Sequence, residues 1–544
     1  MIKKIHIKNF KSIEEITIDN LNPDKNIFVG NNESGKSTIL EAINLCLTKK
    51  HYGESVDHFL HPFMFNIDLT KQYLKDNPKT TDLPYILIEL YFESNEILQS
   101  YRGSRNGFGE DAIGISLKIQ FNAEYTQILS EIYNDPYELQ KTEYLPHEFY
   151  HCEWEDFSGG TINLRKLYSE IKCNLIDSGG KQRFNSTERI SKQYISQLLE
   201  PKEISQLDKK YNDLRKTFTN EDIINNLNSE LLDLKEYTEK PMKLGLDLSP
   251  KHNWINSTIP YLDNIPYDYV GQGEQSIVNT LLAIQARSSD SFNIILLEEP
   301  ENHLSHSKMS SMLKLISDKT GSNSQLFITS HSPQVVNRLG LNNIFLTSNK
   351  GEEINSFSSL NKDDYQFFQK ATGFDTLRVL LADKLVLVEG PADEMIYNKC
   401  FESIHKCEPR EKGVDVISCN GLTFKRYLEL IKISNNSQRV HVLRDNDKDD
   451  QSQYLNEYKN KCEVFYEKDL IENYTLEPYF YNANETDNLD KLLKTLDRKN
   501  NESKDDTIKW MMGNKTNWAL KVAMSDFAWN YPTYISNSVN QIIT

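Results

Sequence analysis

Two groups of residues in this chain have the types and spacing to work on phosphate. The first is Gly30-Asn31-Asn32-Glu33-Ser34-Gly35-Lys36-Ser37, with Thr38 beside it, which fits GxxxxGK[ST]. Such a loop presents backbone N–H groups and a helix N-terminus to a polyphosphate. Its glycines let the backbone approach without a Cβ in the way. Lys36 would reach the terminal phosphates and the Ser37 hydroxyl would bind magnesium, so ATP is the expected ligand. The second group is Glu389-Gly390-Pro391-Ala392-Asp393, followed downstream by Asp445-Asn446-Asp447-Lys448-Asp449, each closing an apolar run. Hard divalent cations prefer oxygen ligands, so converging carboxylates at Glu389, Asp393, Asp445 and Asp447 suit one or two Mg²⁺ or Mn²⁺ ions. Two ions about 4 Å apart stabilise the attacking and leaving oxygens of a phosphodiester, which is nuclease chemistry. Taken alone, Asp445 to Asp450 also reads as a solvated loop, and Asp449 is either a ligand or a bystander.

Three further segments bear on the nucleotide. Asn293 to Pro300 is an apolar strand ending in Glu298 and Glu299. One such carboxylate can hold magnesium and the next can polarise the attacking water; Glu298 takes the first role and Glu299 the second. Phe327 to Ser332 is a strand that delivers His331 at its carboxyl edge, where an imidazole can hydrogen-bond a γ-phosphate. Gly271-Gln272-Gly273-Glu274-Gln275 opens a helix whose N-terminal amides can face an anion.

These residues need an α/β scaffold to hold them. Ile5 to Phe10 and Ile13 to Ile18 alternate as paired strands, and Ile27 to Val29 is a buried strand leading into the phosphate loop. A helix follows from Ser37, and Tyr85 to Phe92 and Ile113 to Phe121 read as further strands. Residues 122–260 have charged, helical periodicity and are expected to be an insertion, docked on a second subunit or lying as a lid on its own. The βα pattern returns over 261–350, and 351–383 form a connector. A second βα series occupies 384–544, with strands at Lys384 to Val388, Val414 to Ser418, Val440 to Leu443 and Val464 to Tyr466. Short apolar strands separated by helices predict a small parallel sheet, and in such a sheet Glu389 and Asp445 end at one crevice. The tail beyond about Asn482 is polar, then amphipathic from Trp510 to Phe527.

Bulk properties narrow the class. At 544 residues the chain exceeds what one hydrophobic core organises. A net charge of −17 argues against a protein that coats DNA but permits a local basic groove. Seven cysteines, at 46, 152, 173, 400, 407, 419 and 462, form no CxxC pair, which fits reduced thiols in a cytoplasm. No apolar run reaches membrane-spanning length, and Met1 to Ile7 alternates as a strand rather than as a signal peptide, so no membrane partner is expected.

In this order the N-terminal motifs resemble the ABC-type ATPase of the SMC, RecF and Rad50 group, over roughly residues 1–350. The resemblance implies that Gly271 to Gln275, with Gly271 and Gly273, is a signature loop completing a partner's nucleotide site in a head-to-head homodimer. It also implies that His331 is the switch histidine. Two positions depart from the pattern: Glu298 stands where aspartate is usual, and Ser305 replaces an expected aspartate. EGxxD followed by DxD resembles the TOPRIM pattern. Placed behind an ABC ATPase, it makes the whole chain resemble the OLD (overcoming lysogenization defect) family, which includes the Gabija A nuclease and retron-associated relatives.

That resemblance implies metal binding by Glu389, Asp393, Asp445 and Asp447, with Glu472 as a later acidic ligand. It implies Lys515, with Lys521 as the competing choice, as a lysine that stabilises charge on the phosphate. The expected fold is an SMC/RecF-like ATPase with a helical dimerisation insertion, followed by a TOPRIM α/β domain. The expected activity is ATP-regulated, divalent-metal-dependent DNA cleavage in anti-phage defence. Expected partners are DNA, further copies of the chain as a dimer or tetramer, and a second defence subunit such as a helicase or a retron reverse transcriptase with its nucleic acid. A non-cleaving DNA-binding ATPase of the repair type is the alternative.

Overall fold

A computed structural model describes the chain apart from residues 52, 77–81, 134–139, 178–198, 233–243, 245–253, 256–257, 286–290, 320–322, 349–352, 358–362, 364–366, 368–375, 420–423, 435–438, 446–459, 468–474, 500–501 and 544. Residue contacts divide it into two compact units. The first holds Met1–Phe28 and Glu33–Ser330, and the second holds Val29–Asn32, His331–Asn349 and Glu353–Thr544.

The first unit opens with β1 (Ile2–Phe10), β2 (Ile13–Ile18), β3 (Lys25–Gly30) and helix α1 (Lys36–Thr48). Next come β4 (Ile86–Phe92), β5 (Ala112–Phe121), β6 (Tyr150–Asp156) and β7 (Ile171–Asp177). Helices α2 (Pro201–Thr219), α3 (Asp222–Leu232) and α4 (Gln272–Gln285) precede β8 (Phe292–Glu298), helix α5 (His306–Lys319) and β9 (Ser324–Thr329). An antiparallel sheet runs β2-β1-β4-β5, with β6 added on β5. A parallel sheet runs β7-β8-β9-β3. All seven residues of β4 are buried, so a charge within it must find partners. Glu89 does: its Oε2 lies 3.0 Å from His6 Nδ1 and accepts from the Tyr91 hydroxyl at 2.9 Å, while its Oε1 accepts from Gly107 N at 2.7 Å.

The expectation of a helical insertion across 122–260 needs correction. β6 and β7 fall inside that range and belong to the two sheets. β7 was missed because a buried parallel strand normally reads as one apolar run. Here Lys172 and Asn174 interrupt it while being buried, and Asn174 Nδ2 bonds Asn293 Oδ1 on the neighbouring strand. Helical character is confined, among the described residues of this stretch, to short helices and to α2 and α3. Pro201 at the first turn and a Glu200/Glu203 capping box start α2. These two helices leave Leu207, Leu214, Phe218, Ile223 and Leu227 exposed.

In the second unit, β10 (Ile344–Ser348) and β11 (Glu353–Ser356) pair antiparallel. β12 (Lys384–Val388), β13 (Val414–Ser418), β14 (Arg439–Leu443) and β15 (Glu463–Phe465) form a parallel sheet in the order β13-β12-β14-β15. Helices α6 (Pro391–His405), α7 (Phe424–Ser434), α8 (Leu476–Asn484), α9 (Lys515–Met524) and α10 (Thr533–Ile543) accompany it. The strands agree with the predicted series, and residues of the polar tail pack into the same core. Trp518 is wholly buried in one core with Val386, Val388, Leu443 and Phe480. Asn484, equally buried, donates to the carbonyls of Phe480 and Asn530 and accepts from Asn530 N. Backbone groups thus satisfy a side chain whose polarity suggested solvent. All seven cysteines are free, and no described helix is long and apolar enough to cross a membrane.

The His6 cluster gives a pH test. Burial lowers the His6 pKa, but hydrogen bonds to Glu89 and Glu15 more than reverse this and hold it above its ordinary 6.5. The resulting stabilisation is complete below the unfolded value and is lost as pH rises through the folded one. The stability difference between wild type and His6→Gln, measured by chemical unfolding, is therefore expected to be larger at about pH 6 than at about pH 9.

Candidate active sites

β3 runs into the phosphate loop and α1 leaves it. Gly35, the helix N-cap, has φ 88°, a left-handed conformation that glycine adopts without strain. Glu33 is held left-handed as well, at φ 65°. Lys36 is only 5% exposed, and burial draws its pKa down to about 8 against the opposing charges of Glu299, Glu301 and Glu298. At the end of β8, burial raises the Glu298 pKa, a hydrogen bond from Ser37 opposes this, and Asp177, Glu41 and Glu299 add to the rise. The two side chains expected to share magnesium, Ser37 and Glu298, are therefore in contact. Asp177, which sequence reasoning overlooked, closes β7 opposite Glu298 in register.

Glu299 has φ 43°, a strained setting for a non-glycine residue. Its N–H donates to Thr329 O at 3.0 Å and its Oε2 accepts from Asn302 Nδ2 at 2.8 Å, which together aim the carboxylate. Ser305, at the departure from the family pattern, has its hydroxyl 3.3 Å from that of Ser307. The two glycines of the Gly271–Gln275 segment differ. A Cβ on Gly271 would meet open space, whereas one on Gly273 would lie 2.3 Å from the His303 carbonyl oxygen. Gly273 is thus required by packing, and Gly271 is free to face a ligand. Glu274 pairs with Lys308 at 2.7 Å. In the second unit, Gly30, Asn31 and Asn32 begin the phosphate loop, and His331 follows the strand that ends at Thr329.

The other site lies at the carboxyl edge of β12 and β14. Glu389 leaves β12, and its Oε1 accepts the backbone N–H of Asp445 at 2.9 Å, tying the two strand ends together. Gly390 N donates to Asp393 Oδ2 at 3.1 Å, so Asp393 caps the first turn of α6. Burial raises the Asp445 pKa to about 9, with Glu389, Asp393 and Glu477 adding to the rise and Lys515 opposing it. Burial likewise raises Asp393 to about 7, helped by Glu389 and Glu477. Burial also pushes the Tyr534 phenol well up, together with Asp393, Asp445, Glu389 and Glu467.

Glu389, Asp393, Asp445 and Lys515 are brought together. Asp447 and Glu472 lie outside the described residues. Lys521 is bound to Asp497 at 2.6 Å, so of the two lysines it is Lys515 whose charge acts on Asp445. Glu477 joins the group unforeseen. Among the described residues no three His, Cys, Asp or Glu side chains are spaced as a finished ion site. The donor chemistry nevertheless fits a hard cation: the set is all oxygen, its members repel, and Glu477 Oε2 is buried without a hydrogen-bond partner.

Lys36→Met is expected to abolish binding of a fluorescent ATP analogue while leaving the melting temperature of the nucleotide-free protein unchanged or raised, since it removes a buried charge. Gly273→Ala is expected to destabilise the first unit by about 1–3 kcal/mol, from the overlap at His303. Gly271→Ala is expected to be neutral, and calorimetry on both variants makes the comparison.

Residues 1–336, more than half the chain, match the AAA ATPase domain family. Residues 380–447 match the "overcoming lysogenization defect protein-like, TOPRIM domain" family. Endonuclease GajA of Bacillus cereus (strain VD045) is 22% identical over 483 residues, covering 81% of this chain and 74% of that protein. The DNA replication and repair protein RecF of Lactococcus lactis subsp. lactis (strain IL1403) is 49% identical over 51 residues, 9% of this chain and 14% of that protein. The solved C-terminal region of the Xanthomonas campestris pv. campestris OLD protein aligns at a TM-score of 0.23 and 16% identity, with 30% of this chain and 95% of that one covered. The chain belongs to the AAA ATPase domain family and carries an OLD-like TOPRIM domain behind its ATPase region.

Proposed function

We propose that this protein is a DNA endonuclease whose TOPRIM site cuts phosphodiesters with divalent metal, and whose ATPase region regulates the cut. The observation that carries the reading is the junction of β12 and β14, where the Asp445 N–H is held by Glu389 and the carboxylates of Glu389, Asp393, Asp445 and Glu477 act on one another. The matched TOPRIM family and the kinship to Endonuclease GajA support it. Mg²⁺ or Mn²⁺, with two ions as the working number, would supply charge neutralisation and Lewis acidity at the scissile phosphate.

The chain's own residues have separate tasks. Glu389 and Asp445 fix the two strand ends and orient the acidic edge, and Asp393 is held by Gly390 at the first turn of α6. Asp447 and Glu472 complete the set by sequence position. Lys515, exposed at the start of α9, offers a cation to a phosphate oxygen as negative charge builds. At the ATPase site Lys36 neutralises phosphate, Ser37 and Glu298 hold magnesium, Glu299 orients water, and His331 senses the γ-phosphate. The signature loop at Gly271 serves the nucleotide of a second copy.

The exposed apolar residues of α2 and α3 fit self-association, as a dimer or a tetramer. Anti-phage defence in the cytoplasm, alongside a helicase or a retron reverse transcriptase, follows from the OLD-family resemblance, and seven free thiols fit that compartment.

Plasmid and linear DNA incubated with Mg²⁺ or Mn²⁺, with and without ATP, test the proposal. Cleavage is expected from wild type, is expected to stop with EDTA, and is expected to fall by at least about 10³-fold in Asp445→Asn with ATP binding intact. DNA binding without cleavage under every condition would instead identify a repair-type DNA-binding ATPase.

A further inference from the structure

Glu477 is the second residue of α8, and only 1% of it reaches solvent. A carboxylate buried this deeply is ordinarily paired with a cation or surrounded by hydrogen-bond donors. Glu477 has neither at its Oε2, which is buried and partnerless, and no described Lys, Arg or His forms an ion pair with it. The helix N-terminus favours negative charge, but only modestly. The charges Glu477 acts on are of its own sign, Asp393 and Asp445. Leu476 and Phe480, on either side of it in α8, belong to the same core as Val388 and Leu443, the last residues of the strands that carry Glu389 and Asp445. The core therefore drives this carboxylate toward the acidic edge and closes water off behind it.

We propose that Glu477 is a further ligand of the divalent ion at the TOPRIM edge, approaching it from the buried side. The proposal rests on the metal-dependent reading above. Glu477 lies five positions beyond Glu472 in the chain, so it is a different carboxylate from the one the family resemblance implies. A buried ligand cannot turn away to solvent between turnovers, so its contribution is a fixed oxygen that sets ion affinity.

The full-length protein, stripped of metal with chelator and titrated with MnCl₂ alone, provides the test by calorimetry and thermal unfolding, without a cleavage step. Glu477→Gln keeps the shape and removes the charge. The metal-free variant is expected to melt at or above wild type, because a repulsive buried charge is gone, while Mn²⁺ binds at least about tenfold more weakly and raises the melting temperature less. Glu477→Asp, which keeps the charge on a shorter arm, is expected to fall between the two and serves if the glutamine variant fails to fold. A metal-free Glu477→Gln protein that melts lower than wild type but retains full Mn²⁺ affinity would mark Glu477 as structural and overturn the proposal. If Asp445→Asn loses Mn²⁺ binding while Glu477→Gln does not, the metal-dependent reading survives and this inference alone falls. If wild type itself shows no Mn²⁺ response, both fall.

Discussion

Repulsion between buried like charges is the constraint around which both sites are built. Two unit charges 4 Å apart at a protein surface interact by about 4 kcal/mol, a large fraction of a domain's net stability. At the TOPRIM edge, Glu389 and Glu477 add to the raised proton affinity of the buried Asp393 and Asp445, and Lys515 opposes the rise at Asp445. At the nucleotide site the balance differs, because Lys36 sits buried among Glu298, Glu299 and Glu301. A mixed site of that kind suits a polyanion carrying its own cation, whereas an all-carboxylate site suits the cation itself. The chemistry assigned to each end of the chain follows from this difference in sign.

A fold can hold such charges together only if the scaffold beneath them is secure. In the second unit the security comes from β12 and β14 pairing in register, and from helices supplied by the chain's last hundred residues. His441, in the middle of β14, shows how closely the interior is tuned. Its Nδ1 lies 2.9 Å from the Ser538 hydroxyl, and burial with the nearby Arg439 charge lowers its pKa to about 4. The imidazole stays neutral and adds no positive charge under the acidic edge. In the first unit the buried Glu89 is treated in the opposite way, with partners on every side, and it serves to fasten β1 and the Gly107 loop to β4. One buried glutamate is satisfied and structural, and the other, Glu477, keeps a buried unpartnered oxygen near carboxylates of its own sign.

Much of this was readable from residue order. The phosphate loop, the Glu298-Glu299 strand end, EGxxD and the four TOPRIM strands depend on local rules: a glycine where backbone meets phosphate, an apolar run for a buried strand, a carboxylate at its end. Such features survive in one dimension because the residues that cooperate are neighbours in the chain.

What tertiary structure alone decided concerns residues whose local surroundings mislead. Lys172 and Asn174 disguise β7 as a polar helical stretch, although the strand completes the parallel sheet and brings Asp177 to Glu298. Asn484 and Ser538 make the tail look like surface, yet they are buried because backbone and side-chain partners far away in sequence satisfy them. Glu477 has no motif of its own. Its standing comes from a core that buries it beside carboxylates more than 30 residues away, and burial and electrostatic proximity are properties of three-dimensional packing that no spacing of letters encodes.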